Sequence, residues 1–375
     1  YTAFDSLWWV LLAWMVARLI TRDEPRWWLG IGLVIGLGMM TRYTMLFCVA
    51  ALAVAVLATP MRRQLASPWL LAGVAVSLLV FLPNALWQFQ HDFIALDFLQ
   101  SIHARDVRIG RTDGFLLQQL YANTGPLLLP LWLAGLAWLG LAKAAARYRV
   151  FAWWYVAALV LFAIAGGRSY YLAPAYSMLL AAGAVACEQW LARRQPKPRR
   201  LAHAGIAIGL AGALIGGAAV GLPWASVNST GWRISRAAHD NFAEQVGWPE
   251  YVKQVADIYR ALPAPERAHT GIYANNYGEA GAIDLYGPAL GLPRAISPVN
   301  SFWFRGTGTP PPTTVIVLGD DAHGMRDTPA DCMLAARWRN PWQVENEETS
   351  HPDIYVCRNL RVPWSQLWPP KPSFG

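Results

Sequence analysis

The sequence predicts a polytopic α-helical membrane protein with a soluble α/β domain at its carboxyl end. Apolar segments close to the length that crosses a bilayer fill most of the first 222 positions. The basic residues between these segments are concentrated on alternate connections, as they are in proteins that cross the membrane repeatedly. After Leu222 the composition changes to mixed polar sequence. We therefore expect a membrane region over residues 1–222 and an α/β domain over residues 223–375.

Eight apolar segments account for the predicted membrane region. A transmembrane helix needs about 20 residues to cross about 30 Å of hydrocarbon. The second and third segments are short enough that we expect them to tilt or break. The eight segments cover residues 5–20, 27–41, 44–59, 68–87, 126–142, 150–165, 171–191 and 203–222.

The distribution of charge predicts the orientation of these segments. One set of connections carries thirteen lysines and arginines, and the other carries five. Since positively charged loops remain in the cytoplasm, the first set marks the cytoplasmic side. The outer side then holds Tyr1, the Gln88–Gly125 loop, the Gly166–Tyr170 turn and everything after Leu222. The chain has no initiator Met and enters its first segment from outside, so we interpret it as an amino-terminal truncation with further spans upstream.

Net charge follows the same division and argues against a nucleic-acid partner. The chain carries +8, but residues 1–222 hold 18 basic and 8 acidic residues, a net +10. Residues 223–375 hold 13 basic and 15 acidic residues, a net −2. The basic excess therefore reflects membrane topology.

Apolar strands that alternate with helical stretches predict the α/β character of the carboxyl-terminal domain. We expect helices at Pro249–Leu262 and Gly278–Tyr286, strands at Thr270–Ala274 and Thr313–Gly319, and a loop at Gly306–Pro312.

The four cysteines separate into two pairs. Cys48 and Cys187 lie in apolar segments, where we expect them to pack as small apolar side chains. Cys332 and Cys357 lie in the predicted outer domain, where an oxidising compartment allows a disulfide, and two free thiols are the alternative. No cysteine spacing indicates a structural zinc site.

Polar residues at the predicted outer membrane boundary are the main candidates for function, because burying them in lipid is costly unless they face a cavity or a partner. Asp5 begins the first segment, Arg42 and Tyr43 interrupt the next outer turn, and Arg168 precedes Tyr171 in the third. An acid and two arginines on one face of the membrane suit an anionic headgroup, since guanidinium groups match phosphate geometry. In the alternative interpretation, the arginines extend individually to lipid headgroups and Asp5 caps a helix.

Two further groups are substrate-binding candidates. His91 and Asp92 lie in the first outer loop, which is either an amphipathic segment along the interface or a solvated loop. Asn275, Asn276 and Glu279 follow a predicted strand, where α/β folds bind ligands, although these residue types are also common in turns and helix starts.

Several stretches resemble bacterial members of glycosyltransferase family 39, the relatives of dolichyl-phosphate-mannose protein mannosyltransferases and of the lipid A aminoarabinose transferase. The resemblance rests on Gly36–Phe47, Trp87–Leu99 and Gly167–Tyr176, and in the tail on Ala274–Ala282 and on Cys357–Asn359 with Leu367–Pro369.

This resemblance implies a GT-C membrane fold that transfers a hexosyl or pentosyl group from a polyprenyl phosphate on the outer face of a bacterial cytoplasmic membrane. By resemblance, Asp5 is a catalytic acid at the head of a membrane helix, Arg42 lies near the donor phosphate, and Arg168 with Tyr171 grips it. In the family another acid, which acts near the acceptor and best fits the catalytic base, lies in an earlier outer loop that would precede Tyr1. The truncated chain is therefore expected to be inactive if that loop is absent. Some relatives use a divalent metal ion and others do not, so metal dependence stays open.

The acceptor is a lipid, a polysaccharide or a protein. Two other functions compete with the transferase: a transporter, and a noncatalytic membrane scaffold with an outward binding domain. A transporter predicts ionisable residues at mid-membrane, whereas the charged residues here lie at segment ends.

Overall fold

The computed structural model describes residues 2–194, 196–320, 325 and 328–374. Tyr1 therefore lies outside the described residues. The chain divides into two compact units, Tyr1–Gly217 and Ala218–Gly375. The first unit is helical, and the second contains a five-stranded sheet.

Most helices of the first unit coincide with the apolar segments of the sequence. The helices are α1 (Thr2–Arg22), α2 (Trp27–Thr41), α3 (Met45–Leu57), α4 (Pro68–Gln90), α5 (Ile94–Arg108), α6 (Phe115–Gln118), α7 (Leu129–Leu141), α8 (Arg149–Ile164) and α9 (Tyr176–Ala192), followed by α10 (Pro196–Gly221), which continues into the second unit. Of these, α5 and α6 lie in the predicted outer loop. Short 3-10 helices at Pro60–Ala66, Lys143–Tyr148 and Ser169–Ala175 lie between them.

The predicted count of eight transmembrane helices is not confirmed. Among the described residues, five helical stretches are long and apolar enough to cross a membrane: Thr2–Arg22, Pro68–Gln90, Lys143–Ile164, Ser169–Ala192 and Arg200–Gly221. A sixth is obtained if α3 and the 3-10 helix Pro60–Ala66, which meet at a bend of 106°, are taken as one broken span. The segments at 27–41 and 126–142 form helices too short to qualify, because 15 residues of α-helix extend only about 22 Å. The sequence pattern therefore located the apolar helices, and by length and composition five or six of them qualify as spans among the described residues.

The core of the first unit forms where helices present apolar residues at helical spacing. On α1 the residues Trp9, Leu12, Val16 and Leu19 are all at most 1% exposed. Glycines permit close helix contacts elsewhere: a Cβ on Gly135 would collide with the Leu179 carbonyl oxygen of α9. Small residues at such crossings let two backbones approach closely, as is common between membrane helices.

The second unit has an α/β fold. Its helices are α11 (Thr230–Ala238), α12 (Trp248–Ala261), α13 (Ala264–Arg267), α14 (Tyr277–Tyr286), α15 (Glu347–Ser350) and α16 (Trp364–Leu367). Its strands are β1 (Thr270–Ala274), β2 (Ala295–Ile296), β3 (Thr314–Leu318), β4 (Asp331–Arg337) and β5 (Asp353–Arg358), in the order β2-β1-β3-β5-β4. The first three strands in that order are parallel, whereas β5 is antiparallel to both of its neighbours.

Most of the elements predicted for this unit are confirmed. Strand β1 has the expected bounds, β3 and the two predicted helices agree within one residue at each end, and residues 306–312 lie outside helices and strands. The sequence analysis did not predict β2, β4 or β5. Helices α12 and α14 pack on one face of the sheet, where they bury residues such as Val255, Ile283 and Ile316.

A disulfide joins Cys332 of β4 to Cys357 of β5, which lie opposite each other in the antiparallel register. Cys48 is a buried free thiol within the apolar core of the first unit, and Cys187 is a partly exposed one.

Candidate functional site

A polar site lies at the ends of several helices of the first unit. Asp5 belongs to the first turn of α1 and is only 2% exposed. Arg42 directly follows α2, where the chain leaves the helix in an extended conformation. Its guanidinium nitrogen Nη1 lies 3.5 Å from Oδ2 of Asp5. The start of α1 and the end of α2 therefore bring the predicted acid and the first predicted arginine together.

Tyr170 and Tyr171 connect Arg42 to the second predicted arginine. The Arg42 guanidinium lies over both rings, 4.4 Å from the centre of Tyr171 and 5.5 Å from that of Tyr170. Arg168 donates a hydrogen bond of 3.2 Å from Nη1 to the Tyr170 hydroxyl. A cation over an aromatic face is stabilised by the ring quadrupole, so these tyrosines orient both guanidinium groups within one site.

Asp106 on α5 completes the site. Arg168 donates from Nε and Nη2 to the two carboxylate oxygens of Asp106, at 2.5 and 2.7 Å. Asp106 is 3% exposed, and the side chain of Arg111 approaches it only at 4.0 Å. These hydrogen bonds raise the pKa of Arg168 above its already high ordinary value, so the guanidinium stays charged.

The site is therefore balanced in charge, with two carboxylates facing two guanidinium groups. Arg168 directs three donors, one each from Nε, Nη1 and Nη2, to Asp106 and Tyr170, and a guanidinium has five in all. An incoming anion must therefore use the remaining N–H groups or displace a carboxylate. The geometry suits a phosphate, since carboxylate and phosphate present similar paired oxygens to arginine.

Asp106 was not predicted as a site residue among the acids of the outer loop. The feature that could have identified it is its position on α5. Asp106 lies four residues after the half-buried Ile102 and next to the half-buried Arg105, on the less exposed face of the helix. An acid at such a position needs a partner, because burying an unpaired charge is costly.

Tyr43 does not join this site. Its hydroxyl donates to Oδ1 of Asn84 at 2.9 Å and accepts from Nε2 of Gln88 at 2.9 Å, so it ties the α2–α3 turn to α4. The nearby His91 stacks on Trp87, with ring centres 4.1 Å apart, and its Nδ1 lies 2.7 Å from the Trp87 carbonyl oxygen. Asp92 is exposed and adopts a left-handed conformation at the turn before α5. Donor-phosphate binding by Tyr43 and substrate binding by His91 and Asp92 stay predictions.

The three candidates in the second unit build the start of α14. Asn276 caps the helix by accepting from the Glu279 amide at 2.8 Å, and Glu279 Oε2 accepts from the amides of Asn275 and Asn276. Asn275 also donates from Nδ2 to the Leu318 carbonyl at 3.0 Å. These bonds form a capping box, so the residues have structural partners, and acceptor recognition by them stays a prediction.

Glu279 lies in an unusual buried acidic pair. It is fully buried and accepts a hydrogen bond of 3.2 Å from the Tyr251 hydroxyl. Burial and the neighbouring Glu348 carboxyl raise the pKa of Glu279 well above its ordinary value. Burial also raises the pKa of Glu348, which accepts from Nδ2 of Asn276 at 3.2 Å. Ionisation of both carboxyl groups together is therefore disfavoured.

Potential metal ligands were sought among the described residues of the chain. No group of three or more His, Cys, Asp and Glu side chains there could hold a metal ion. The question of metal dependence therefore stays open.

Fold and site together define a polytopic helical membrane protein with a buried arginine–carboxylate site and an α/β unit. Residues 2–87 match the family model for dolichyl-phosphate-mannose-protein mannosyltransferase, which confirms the resemblance over that part of the chain and points to a membrane glycosyltransferase. The matched segment contains Asp5 and Arg42 but ends before Asp106 and Arg168. No curated protein and no solved structure matches the chain.

Proposed function

We propose that this protein transfers a sugar from a polyprenyl-phosphate donor to an acceptor at the outer face of a bacterial cytoplasmic membrane. The observation that carries the proposal is the convergence of Arg42 and Arg168 on the Tyr170–Tyr171 pair. The two arginines are 126 positions apart in sequence, and only the second lies outside the matched family segment. Their shared site suits the phosphate of a lipid donor.

The reaction would break the bond between the anomeric carbon of the sugar and the phosphate oxygen of the donor. The acceptor hydroxyl oxygen forms the new bond to that carbon and gives its proton to a base. The polyprenyl phosphate leaves with an additional negative charge. Positively charged groups fixed at the leaving oxygen stabilise this charge as it develops, and this contribution is often the largest in catalysis.

Each side chain of the site has a proposed role in this reaction. Arg42 and Arg168 bind the donor phosphate, and Tyr171 holds the Arg42 guanidinium against the site. Asp5 is the proposed base, because it is the carboxylate next to Arg42 within the matched family segment. A carboxylate this close to a guanidinium also orients it, so Asp5 serves the donor site even before it accepts a proton.

Two observations support an outer location of the carboxyl-terminal unit. The disulfide between Cys332 and Cys357 is typical of an oxidising compartment such as the periplasm. The asymmetric distribution of lysine and arginine between the two sets of connections supports a position of the residues after Leu222 on the side opposite the cytoplasm.

Binding of undecaprenyl phosphate tests the proposal without knowledge of the sugar or the acceptor. We expect Arg42→Gln and Arg168→Gln, measured by native mass spectrometry of the purified full chain, each to weaken binding by about tenfold or more, since charge-assisted hydrogen bonds contribute roughly 1.5–3 kcal/mol. Arg108→Gln is the matched control, because Arg108 is an exposed arginine at the end of α5.

The outcomes separate cleanly. Unchanged binding by both variants would exclude these arginines from a lipid-phosphate site. Equal loss in Arg108→Gln would show that the effect is a general attraction of the basic surface. Loss in the two site variants alone would support the donor site, and assays with lipid-linked sugars would then identify the transferred group.

A further inference from the structure

A polar cavity lies in the first unit, among residues that are distinct from those of the proposed donor site. It has a volume of about 440 Å³, which falls within the usual range of small-molecule sites. It is formed by the last turn of α1, the 3-10 helices Pro60–Ala66 and Lys143–Tyr148, and the start of α8. These connections carry many of the basic residues that mark the predicted cytoplasmic side.

The cavity combines an apolar floor with a cationic rim. Leu19 and Val150 line it and are each 1% exposed, so the floor belongs to the apolar core. Arg63 and Arg147 line it from exposed positions. Asp23 is the acid that lines the cavity, and its Oδ1 accepts a hydrogen bond of 3.4 Å from the side-chain Nε2 of Gln64. The lining side chains therefore carry a net positive charge.

The local backbone geometry suits a position of this cavity at a membrane surface. The 3-10 helix Pro60–Ala66 turns away from α3 by 106°. If α3 enters the bilayer along its normal, this short helix runs almost parallel to the membrane plane. Across the cavity, the Arg147 guanidinium lies 4.7 Å from the centre of the Tyr148 ring. This contact holds the Arg147 cation beside the rim of the cavity. A basic pocket between membrane helices at the cytoplasmic side is the kind of site that binds lipid headgroups.

We propose that this cavity binds the headgroup of an anionic phospholipid from the cytoplasmic leaflet. The phosphate lies between Arg63 and Arg147, and the glycerol and first methylene groups contact the apolar floor. A free inorganic phosphate would use the rim alone and leave the floor unfilled, so the amphipathic lining favours a lipid. This inference is independent of the proposed donor site, which uses other arginines.

The test compares two double variants of the full chain in nanodiscs. We expect Arg63→Gln with Arg147→Gln to lower affinity for phosphatidylglycerol by about 25-fold relative to phosphatidylethanolamine, because each arginine near the surface contributes about fivefold. The control is Arg62→Gln with Arg149→Gln, which removes the same charge from neighbouring exposed positions that do not line the cavity. Affinity is read from the lipid retained in native mass spectra.

Each outcome decides the proposal. A loss confined to the lining pair supports a built lipid site. An equal loss in both double variants overturns it, because diffuse surface charge would then explain the preference. Displacement of phosphatidylglycerol by inorganic phosphate at similar concentration would also overturn it, since the free anion would then be the ligand. Thermal unfolding of both variants checks that neither change has disrupted the fold.

Discussion

Replacing Asp106 with alanine should destabilise the first unit, because Arg168 would lose its counterion. The change removes both oxygens that Arg168 binds, at 2.5 and 2.7 Å. The Arg168 side chain is only 19% exposed, so water replaces the carboxylate poorly. Breaking a buried ion pair typically costs about 3–5 kcal/mol. We expect the lower end, about 3 kcal/mol, because Arg168 keeps its bond to Tyr170 and some contact with water.

The assay is thermal unfolding of the purified protein in detergent. For a unit of about 220 residues, a loss of this size lowers the apparent midpoint by roughly 6–12 °C. Asp106→Asn keeps the side-chain shape and one oxygen acceptor, so its midpoint should fall between those of the alanine variant and the unchanged protein. Asp113→Ala removes an exposed acid from the same loop and serves as the control. Equal midpoints for the two alanine variants would refute the importance of the ion pair.

Three further predictions concern the second unit. Because burial and the neighbouring Glu348 raise the pKa of Glu279, this pair binds more protons in the folded state than in the unfolded one. Its contribution to stability is fully present below the ordinary carboxyl pKa of 4.5 and is lost as pH rises through the raised value. Glu279→Gln should flatten this part of the pH dependence, measured as amide exchange of β1 in the full chain after correction for the intrinsic exchange rate, and an unchanged slope would contradict the raised pKa. Gly319→Ala should cost about 1–3 kcal/mol, because φ is +67° and the added Cβ lies 2.5 Å from a Glu279 oxygen, whereas Gly281→Ala, with open space around its Cβ, should be neutral or stabilising by the same measurement. Cys332→Ser should lower stability by about 3 kcal/mol, since the disulfide closes a loop of 25 residues, and an unfolding midpoint unaffected by reductant would argue against it.

Most helices of the first unit and the strands β1 and β3 follow from local sequence patterns. Apolar runs marked these helices, although not α5 and α6, and β1 and α14 appeared where an apolar stretch gave way to a helix start. The edge strand β4 could not be found in this way. Most of its residues are exposed, and its sequence shows no alternation of apolar and polar positions. Its pairing with β5 therefore makes it a strand.

The number of membrane crossings follows less directly from hydropathy than the positions of the helices do. Residues 27–41 and 126–142 are apolar enough for a span, yet their helices are too short. The bend after α3 lies at Pro60, whose ring cannot continue the helix, so local sequence sets where this helix breaks. Hydropathy measures only the preference for an apolar environment, and a protein interior satisfies that preference as well as lipid does.

For the candidate site, the sequence by itself determined the side chains that a buried or membrane environment makes costly. Asp5, Arg42 and Arg168 stood out because each interrupts or bounds an apolar run. Only the tertiary structure decided their partners: it placed Arg42 between Asp5 and the two tyrosines, directed Tyr43 away to α4, and gave Arg168 the carboxylate of Asp106, 62 positions distant. The reason is physical. The cost of burying a charge is a property of one residue and its local sequence, whereas the group that offsets that cost is chosen by packing among helices far apart in the chain.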